Sequence, residues 1–422
     1  MDQVQHILNE QLQKLNSVVP PQILVPALIG VLTVLAAVTL YIKSVQHDIY
    51  DAPGKHILKV EEVCLTIPTL SNSHSRSHQQ LWHYPVKGLG GIKLDTATIG
   101  AQGFEDDRTF CLEKIHRDEK TGEIKVWETM YSGFNLQMVL FQSIVEGREK
   151  GPGKAKITVT RIGPENPQPE VTTYQGKGEH QIQFDLRPDT GTLEKVHLDL
   201  HGSASFAYDM GQEISDWFSK YLGFEAKLVY IGKQARKVLG SGAPNGDLAI
   251  AKRGPISSAL RRWLPVFLRT PVETITFQDI GQYLVVTKES NDQVSSRFND
   301  GSKMDIHKFR PNIIVSGSPE AYDEDYWAQL VFPGNLRMDF GGTCWRCQAI
   351  TVDLNTGKKA EGEQGDVWKK LNKDRRVDKG WKYGPVFGKY SYTSLKDVGR
   401  TISVGDQAVL TKRVRERPIF GE

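Results

Sequence analysis

The stretch Phe309-Arg310-Pro311-Asn312-Ile313-Ile314-Val315-Ser316-Gly317 (FRPNIIVSG) sets the grammar of this chain. An arginine and an amide stand at a proline turn, a β-branched run follows, and a glycine ends it. A short apolar run bounded by Pro and Gly reads as a strand, here Asn312–Ser316, with cations waiting at its entrance. Working outward, the same unit recurs at Ile92–Ile99, Arg108–Lys114, Lys125–Thr129, Ile157–Arg161, Val196–Asp199, Lys227–Ile231 and Tyr283–Thr287. Helical spacing is clearest over Met210–Tyr221, where Ile214, Trp217, Phe218 and Tyr221 fall on one face behind Asp209 as a cap. Ala321–Leu330 reads as a second, shorter helix, and Ala349–Val352 as a further strand. Gly147–Gly178, rich in Gly, Pro and charge, reads as a long surface excursion. The expected class is α+β, strand-rich, arranged as a barrel rather than as regular βαβ units.

At 422 residues the chain holds about two to three domains of ~150 residues. Apolar residues at 39% allow a packed core, so wholesale disorder is excluded. The 53 basic and 50 acidic side chains nearly cancel, which argues against a nucleic-acid coat, and no nucleic acid is expected as a partner. Four cysteines cannot form a disulfide framework, which points to a reducing compartment.

One segment departs from the soluble pattern. Ile23 to Ile42 is twenty residues without a charge, and a helix at ~1.5 Å per residue would span a ~30 Å hydrocarbon layer. We read residues 23–42 as a retained transmembrane anchor and residues 1–22 as its amphipathic lead. Only Lys14 precedes the segment closely, while Lys43, Lys55 and Lys59 follow it, which favours a cytosolic location for the long C-terminal part. Ser71–Gln80, with His74 and His78, reads as an exposed loop. Gly254–Thr270 mixes Arg261, Arg262 and Arg269 with Trp263 and Phe267; it fits either a rim-charged core helix or a segment lying on lipid.

No GxxxxGK[ST] loop, HExxH pair or GxSxG elbow is present, which argues against P-loop NTPases, zincins and α/β hydrolases. Cations at strand ends and one thiol pair remain. Lys87 lies in Tyr84-Pro85-Val86-Lys87-Gly88, Arg108 ends GFEDDR, and Arg310 and Asn312 precede the strand described above. Lysine and arginine held in turns suit a phosphate or another dianion. Cys344-Trp345-Arg346-Cys347 leaves three possibilities open: a zinc site, a dithiol, or one thiolate holding a metal carried by a cofactor, with Arg346 keeping the sulfur ionised.

YPVKG, GFEDDR, FRPNIIVSG with Tyr322, Asp325 and Trp327, CWRCQAITVDLNTG (344–357) and VFGKY…ISVGDQAVL occur in an order that resembles MOSC-domain proteins, in the branch of the mitochondrial amidoxime-reducing components. The resemblance implies a smaller N-terminal β-barrel-like domain (55–235), a β-barrel MOSC domain (236–412) and a basic tail (413–422). It implies molybdenum cofactor, Mo-molybdopterin, between the two domains. Cys347 would be the metal ligand. Lys87, Arg108, Arg310 and Asn312 would hold the pterin and its phosphate, with Gly88, Gly281 and Thr351 lining the site and Arg346 or Asp353 relaying protons. Two departures stand out: Gly88 replaces a frequent hydroxyl residue, and Ile280-Gly281 after Asp279 replaces a Thr-Ser pair.

The function so implied is reduction of N-hydroxylated compounds (amidoximes, hydroxylamines, N-oxides, nitrite) with electrons from NADH. Those electrons would arrive through a separate flavoprotein reductase and a haem cytochrome, at the mitochondrial outer membrane. The alternative is a non-catalytic cofactor carrier, or a module like the C-terminal part of the cofactor sulfurase. Pyridoxal phosphate binding comes with that alternative, although no pyridoxal-phosphate domain is present.

Overall fold

The computed structural model describes residues 49–60, 81–151, 153–163, 180–240, 242–252, 254–265 and 269–420, with Pro26, Ile29, Gly30 and Thr33 besides. Strand β1 (Ile49–Val60) is followed only after some 220 residues by β2 (Tyr283–Thr287), β3 (Ile313–Ser316), β4 (Trp327–Phe332), β5 (Leu336–Trp345), β6 (Val386–Thr393) and β7 (Gln407–Val414). Their order is β1-β7-β4-β5-β6-β2-β3, and β1 pairs with β3 again, so the seven strands close into a barrel. All neighbours are antiparallel except β2 and β3, where Val285 faces Ile313. Closure is made by the chain's N-terminal strand: Leu58 lies opposite Ala408 and Val60 opposite Val315. A closed barrel has no free sheet edge, so β1 caps what would otherwise be two open strands.

Strands β2, β3 and β6 are buried along nearly their whole length because both of their faces are covered, whereas β5 and β7 alternate buried with more exposed positions. Leu58, Tyr283, Val285, Ile313, Val315, Trp327, Leu330, Met338 and Leu410 share one core. Leu284, Val286, Ile314 and Phe387 belong to another, with Phe309, Ile350 and Leu371. Double burial explains why the run Ile313-Ile314-Val315 shows no polar alternation.

Beside the barrel stands a second β unit. Its five-stranded sheet runs Lys195–Leu200, Ser203–Asp209, Ala226–Tyr230, Phe110–Arg117, Ile124–Thr129. Its three-stranded sheet runs Gln181–Asp185, Lys156–Arg161, Phe141–Glu146. Helix α1 (Gln212–Leu222) buries Phe218 and Leu222 against Phe110, Leu112, Phe141, Ile157, Val159 and Leu228. It ends at Gly223, left-handed at φ 81°, whose N–H returns to Ser219 O. Asp209 stands where expected, but its carboxylate accepts from Gly211 N, so the helix begins at Gln212.

Strand Leu81–His83 joins the units. It pairs with β3 through Leu81 and Ile313, and with Ile92–Leu94 on its other side. The chain leaving it is the YPVKG segment.

Several expectations are corrected. Ala321–Leu330 is not a helix: a 3-10 turn (Asp323–Tyr326) leads directly into β4. Trp327, Ala328, Leu330 and Phe332 are buried there, and pairing with β5 and β7 overrides a local pattern too short to decide. Ala349–Val352 is not a strand. Gln348–Thr351 is a 3-10 turn, and Val352 makes only an isolated bridge to Lys359. Its residues are buried on all sides, which periodicity cannot resolve into strand or turn. Ile92–Ile99 divides at Asp95 into Ile92–Leu94 and Thr96–Gly100. The Gly147–Gly178 excursion contains the strand Lys156–Arg161, and residues 164–179 lie outside the described residues. The transmembrane helix expected at 23–42 is neither supported nor overturned. Among the described residues no helix is long and apolar enough to cross a membrane, and most of that segment, like residues 1–22 and Ser71–Gln80, lies outside them.

Candidate cofactor site

Two motifs from the second β unit run side by side. Val86 bridges Phe110 in parallel, Lys87 N donates to Phe110 O at 2.8 Å, and Phe110 N donates to Pro85 O at 3.1 Å. Tyr84 N donates to Asp107 Oδ1 at 2.8 Å, and Arg108 N donates to Tyr84 O at 2.6 Å. YPVKG and DDRTF therefore present Lys87 and Arg108 from one ledge. The barrel's cations meet them there, because Trp82 N donates to Asn312 O at 3.0 Å and Phe277 N donates to Arg108 O at 2.9 Å.

Lys87 is buried. Its ammonium donates to Phe277 O at 2.9 Å and to the Asp279 carboxylate, and it lies 5.3 Å from the centre of the Tyr131 ring. Partial desolvation pushes against ionisation of Asp279, but the Lys87 ammonium prevails and holds its carboxyl well below the usual range. His201 adds a weaker contact, 3.9 Å from Asp279.

Arg108 and Arg310 share one aromatic ring. Their guanidinium carbons lie 4.6 and 4.4 Å from the centre of buried Tyr84. Arg108 has protein partners on both terminal nitrogens: it donates to Asp107, to Asn312 Oδ1 at 3.1 Å and to Arg310 O at 3.3 Å. Asn312 is a buried hub that accepts from Arg108 and Leu284 N and donates to Trp82 O and Asp107 Oδ2. Arg310 differs. Its backbone is left-handed at φ 54°, and its Nη2 is buried without an acceptor. Burial, reinforced by the like charge of Arg108, lowers its pKa to about 10, partly opposed by Tyr84. A buried guanidinium nitrogen with no acceptor, beside a second arginine, is arranged to receive an anion.

The thiol pair follows β5. Cys347 is exposed and begins the 3-10 turn Gln348–Thr351, whereas Cys344 is buried. Arg346 does not lie on Cys347. Its Nη1 donates to Cys344 Sγ at 2.9 Å and its Nη2 to Phe309 O at 2.7 Å, while its buried Nε has no partner. Burial pushes the Cys344 thiol up despite that arginine, and the thiol contacts Tyr390 Oη at 3.1 Å. Arg346 thus ties the CWRC turn to Phe309, the neighbour of Arg310. Gly133 closes the site from the second unit: a Cβ there would lie 2.8 Å from Cys347 Sγ.

The structure therefore brings Lys87, Arg108, Arg310, Asn312, Arg346 and Cys347 around one junction. Gly88 is left-handed at φ 84°, and a Cβ would meet Met138 Cε at 2.4 Å. A Cβ on Gly281 would lie 2.5 Å from Tyr390 Cβ, so neither departure from the family pattern leaves room for a hydroxyl side chain. Thr351 is buried and donates to Gln348 O at 2.7 Å. Asp353 is engaged in its own turn, where Oδ1 accepts from Asn355 N and Thr356 N. Sequence reasoning gave no role to Tyr84, Asp107, Asp279 and Gly133. The first two stand inside quoted motifs; Gly133 left no local signal.

Among the described residues, no three His, Cys, Asp or Glu side chains group as a metal cage. A metal on Cys347 must bring its remaining ligands with it. The residues present fit molybdenum cofactor in that sense: one accessible thiol, and buried arginine nitrogens without acceptors for an anionic group.

Comparison with known proteins agrees on the class. The MOSC domain description matches residues 272–409, and the MOSC N-terminal beta barrel domain matches residues 76–133. The chain thus carries a MOSC domain and a MOSC N-terminal domain over those residues. Among its relatives, it is 25% identical over 334 residues to human "Mitochondrial amidoxime-reducing component 1", covering 78% of this chain and 82% of that one. It is 28% identical over 340 residues to Macaca fascicularis "Mitochondrial amidoxime reducing component 2", covering 78% and 81%. It is also 26% identical over 356 residues to Bos taurus "Molybdenum cofactor sulfurase", covering 79% of this chain but only 32% of the sulfurase. Pyridoxal phosphate binding finds no support in the matched modules.

Proposed function

We propose that this chain holds molybdenum cofactor at the junction of its two β units and reduces N-hydroxylated compounds, including amidoximes, hydroxylamines, N-oxides and nitrite. The observation that carries the reading is an accessible thiol, Cys347, at the same junction as an arginine, Arg310, whose buried Nη2 has no acceptor. When bound, the cofactor supplies two-electron redox chemistry at its metal. The chain's residues do the rest. Cys347 Sγ holds the metal at an exposed position, where a small N–O substrate has access. Arg310, Arg108 and Lys87 hold the anionic end of the cofactor, and Asn312 keeps Arg108 in place through Oδ1. Arg346 positions the thiol turn by bridging Cys344 and Phe309. Asp353, fixed in its turn, is left without a proton-relay role in this reading.

Electrons come from NADH through a separate flavoprotein reductase and haem cytochrome, and residues 23–42 tether the chain to the mitochondrial outer membrane. Two relatives covered to about four fifths in both directions are named for amidoxime reduction and for mitochondria, which supports a reductase at that organelle. Comparable identity to the sulfurase favours a second reading, a cofactor-carrying module without turnover.

The test uses the full chain in detergent. Molybdenum content is measured, then benzamidoxime reduction with NADH and added reductase and cytochrome, and separately with reduced methyl viologen. Molybdenum near one per chain with turnover supports the reductase. Full loading without turnover under either donor supports the carrier. Absence of molybdenum after cofactor-sufficient expression rejects both.

A further inference from the structure

Beside the thiol pair lies a loop the site has not used, Lys373–Gly384 (KDRRVDKGWKYG). It is held from beneath. Asp378 is buried and accepts from Thr343 Oγ1 (2.9 Å), Trp345 Nε1 (3.1 Å), Gly380 N (2.9 Å) and Phe420 N (3.1 Å). Gly380 is pressed so closely on Phe420 that a Cβ would lie 2.0 Å from its carbonyl oxygen. The Trp381 ring stacks on Trp345 at 4.7 Å and 16°, and Tyr383 lies edge-on to Trp381 at 5.6 Å. The loop then returns to the site, because Arg346 N donates to Pro385 O at 2.8 Å. An aromatic row thus runs from Tyr383, 79% exposed, to the residue beside Arg346.

The charges on this loop are unbalanced. Both acids are engaged: Asp378 as above, and Asp374 with Arg297 at 2.7 Å. Arg375 is buried on Asp325. Lys373, Arg376, Lys379 and Lys382 remain exposed, and among the described residues none of the four makes an ion pair. Arg376, Lys379 and Lys382, with the engaged Asp378, line one open concavity of about 550 Å³.

We infer that this loop is the docking face for an acidic protein that delivers electrons to the site, an inference that rests on the reductase reading. Cations around a concavity, an arginine among them and aromatic rings on the same loop, match carboxylates projecting from a protein surface. A lipid surface is the poorer fit. Trp381 is stacked flat on Trp345 and is not free to insert, and the cations ring a hollow rather than lie in a plane. The row Tyr383–Trp381–Trp345 leads from the exposed loop to the CWRC turn, of which Trp345 is part.

The test uses full-length chain in detergent and, as probe, a soluble haem cytochrome domain of net negative charge, with binding followed by calorimetry at low and high salt. Charge reversal, Arg376→Glu with Lys379→Glu and Lys382→Glu, should weaken binding about tenfold or more, and salt should weaken the wild type likewise. The milder Lys379→Gln with Lys382→Gln should give a smaller loss in the same direction, in a protein whose melting is unchanged. Viologen-driven turnover should be unaffected by either set. Unchanged cytochrome binding in the triple variant overturns the inference. So does a triple variant that loses binding to phosphatidylserine vesicles while keeping the cytochrome, since the loop is then a membrane face. If viologen drives no turnover but cytochrome binding still depends on these three cations, the docking face stands and the reductase reading fails.

Discussion

Replacing Arg310 by methionine should make the cofactor-free protein more stable and the cofactor-loaded one less so. The guanidinium is buried, lies near Arg108 on the same ring, and has one nitrogen without an acceptor. Its pKa falls to about 10, a depression that corresponds to at most about 3 kcal/mol of unfavourable burial. Methionine keeps much of the volume but loses the contact with Tyr84, about 1 kcal/mol. The net gain is then about 1–2 kcal/mol, or a rise in Tm of about 2–8 °C. Loss of a charged contact to an anion costs about 1.5–3 kcal/mol, so cofactor retention should fall about ten- to a hundredfold. Urea denaturation of the cofactor-free chain reads the first effect, and molybdenum per chain after prolonged dialysis reads the second. A variant destabilised by more than about 1 kcal/mol that keeps molybdenum like wild type would refute this reasoning, because Arg310 would then be an ordinary structural residue.

Other outcomes follow from the same geometry. Cys347→Ser should abolish molybdenum retention while Cys344→Ser spares most of it; peptide mapping after maleimide treatment should find label on Cys347 and not on Cys344 or Cys111, which are buried. Gly88→Ala should destabilise by about 1–3 kcal/mol, since its Cβ would meet Met138 Cε at 2.4 Å on a left-handed backbone. Met138→Ala in the same chain should recover part of that loss in a melting experiment. Glu113 is buried against Thr129, and burial raises its pKa from 4.5 to about 7. The folded state therefore holds this proton more tightly than the unfolded chain. Its contribution is complete below about pH 4.5 and is lost as pH rises to about 7, by at most about 3 kcal/mol. Glu113→Gln should flatten that part of the stability–pH curve, and an unchanged slope would show that Glu113 is not the titrating group.

The strands were legible where burial is simple. Tyr283–Thr287 keeps its expected bounds, and the strands at Ile313–Ser316, Lys156–Arg161 and Lys195–Leu200 lie within a residue or so of them. Failures came where local pattern and tertiary pairing disagree. The segment read as a helix, Ala321–Leu330, runs instead into the barrel strand Trp327–Phe332, because strands on both sides pair with it. Arg346 was expected to attend the ligand sulfur. It attends Cys344 instead, since side chains two residues apart along an extended strand end share one side and successive ones point to opposite sides.

The residue types of the site, its lysine, its arginines, its amide and its thiol pair, follow from sequence alone, because charge and nucleophilicity are properties of single side chains. Which thiol is accessible, which arginine nitrogen lacks a partner, and that Gly133 lies against Cys347 were decided only in three dimensions. Burial and hydrogen-bond satisfaction depend on what the rest of the chain places nearby. The same holds for the barrel itself: its closing strand, Ile49–Val60, lies far in sequence from the strands it joins, and only the shape of the closed sheet brings them together.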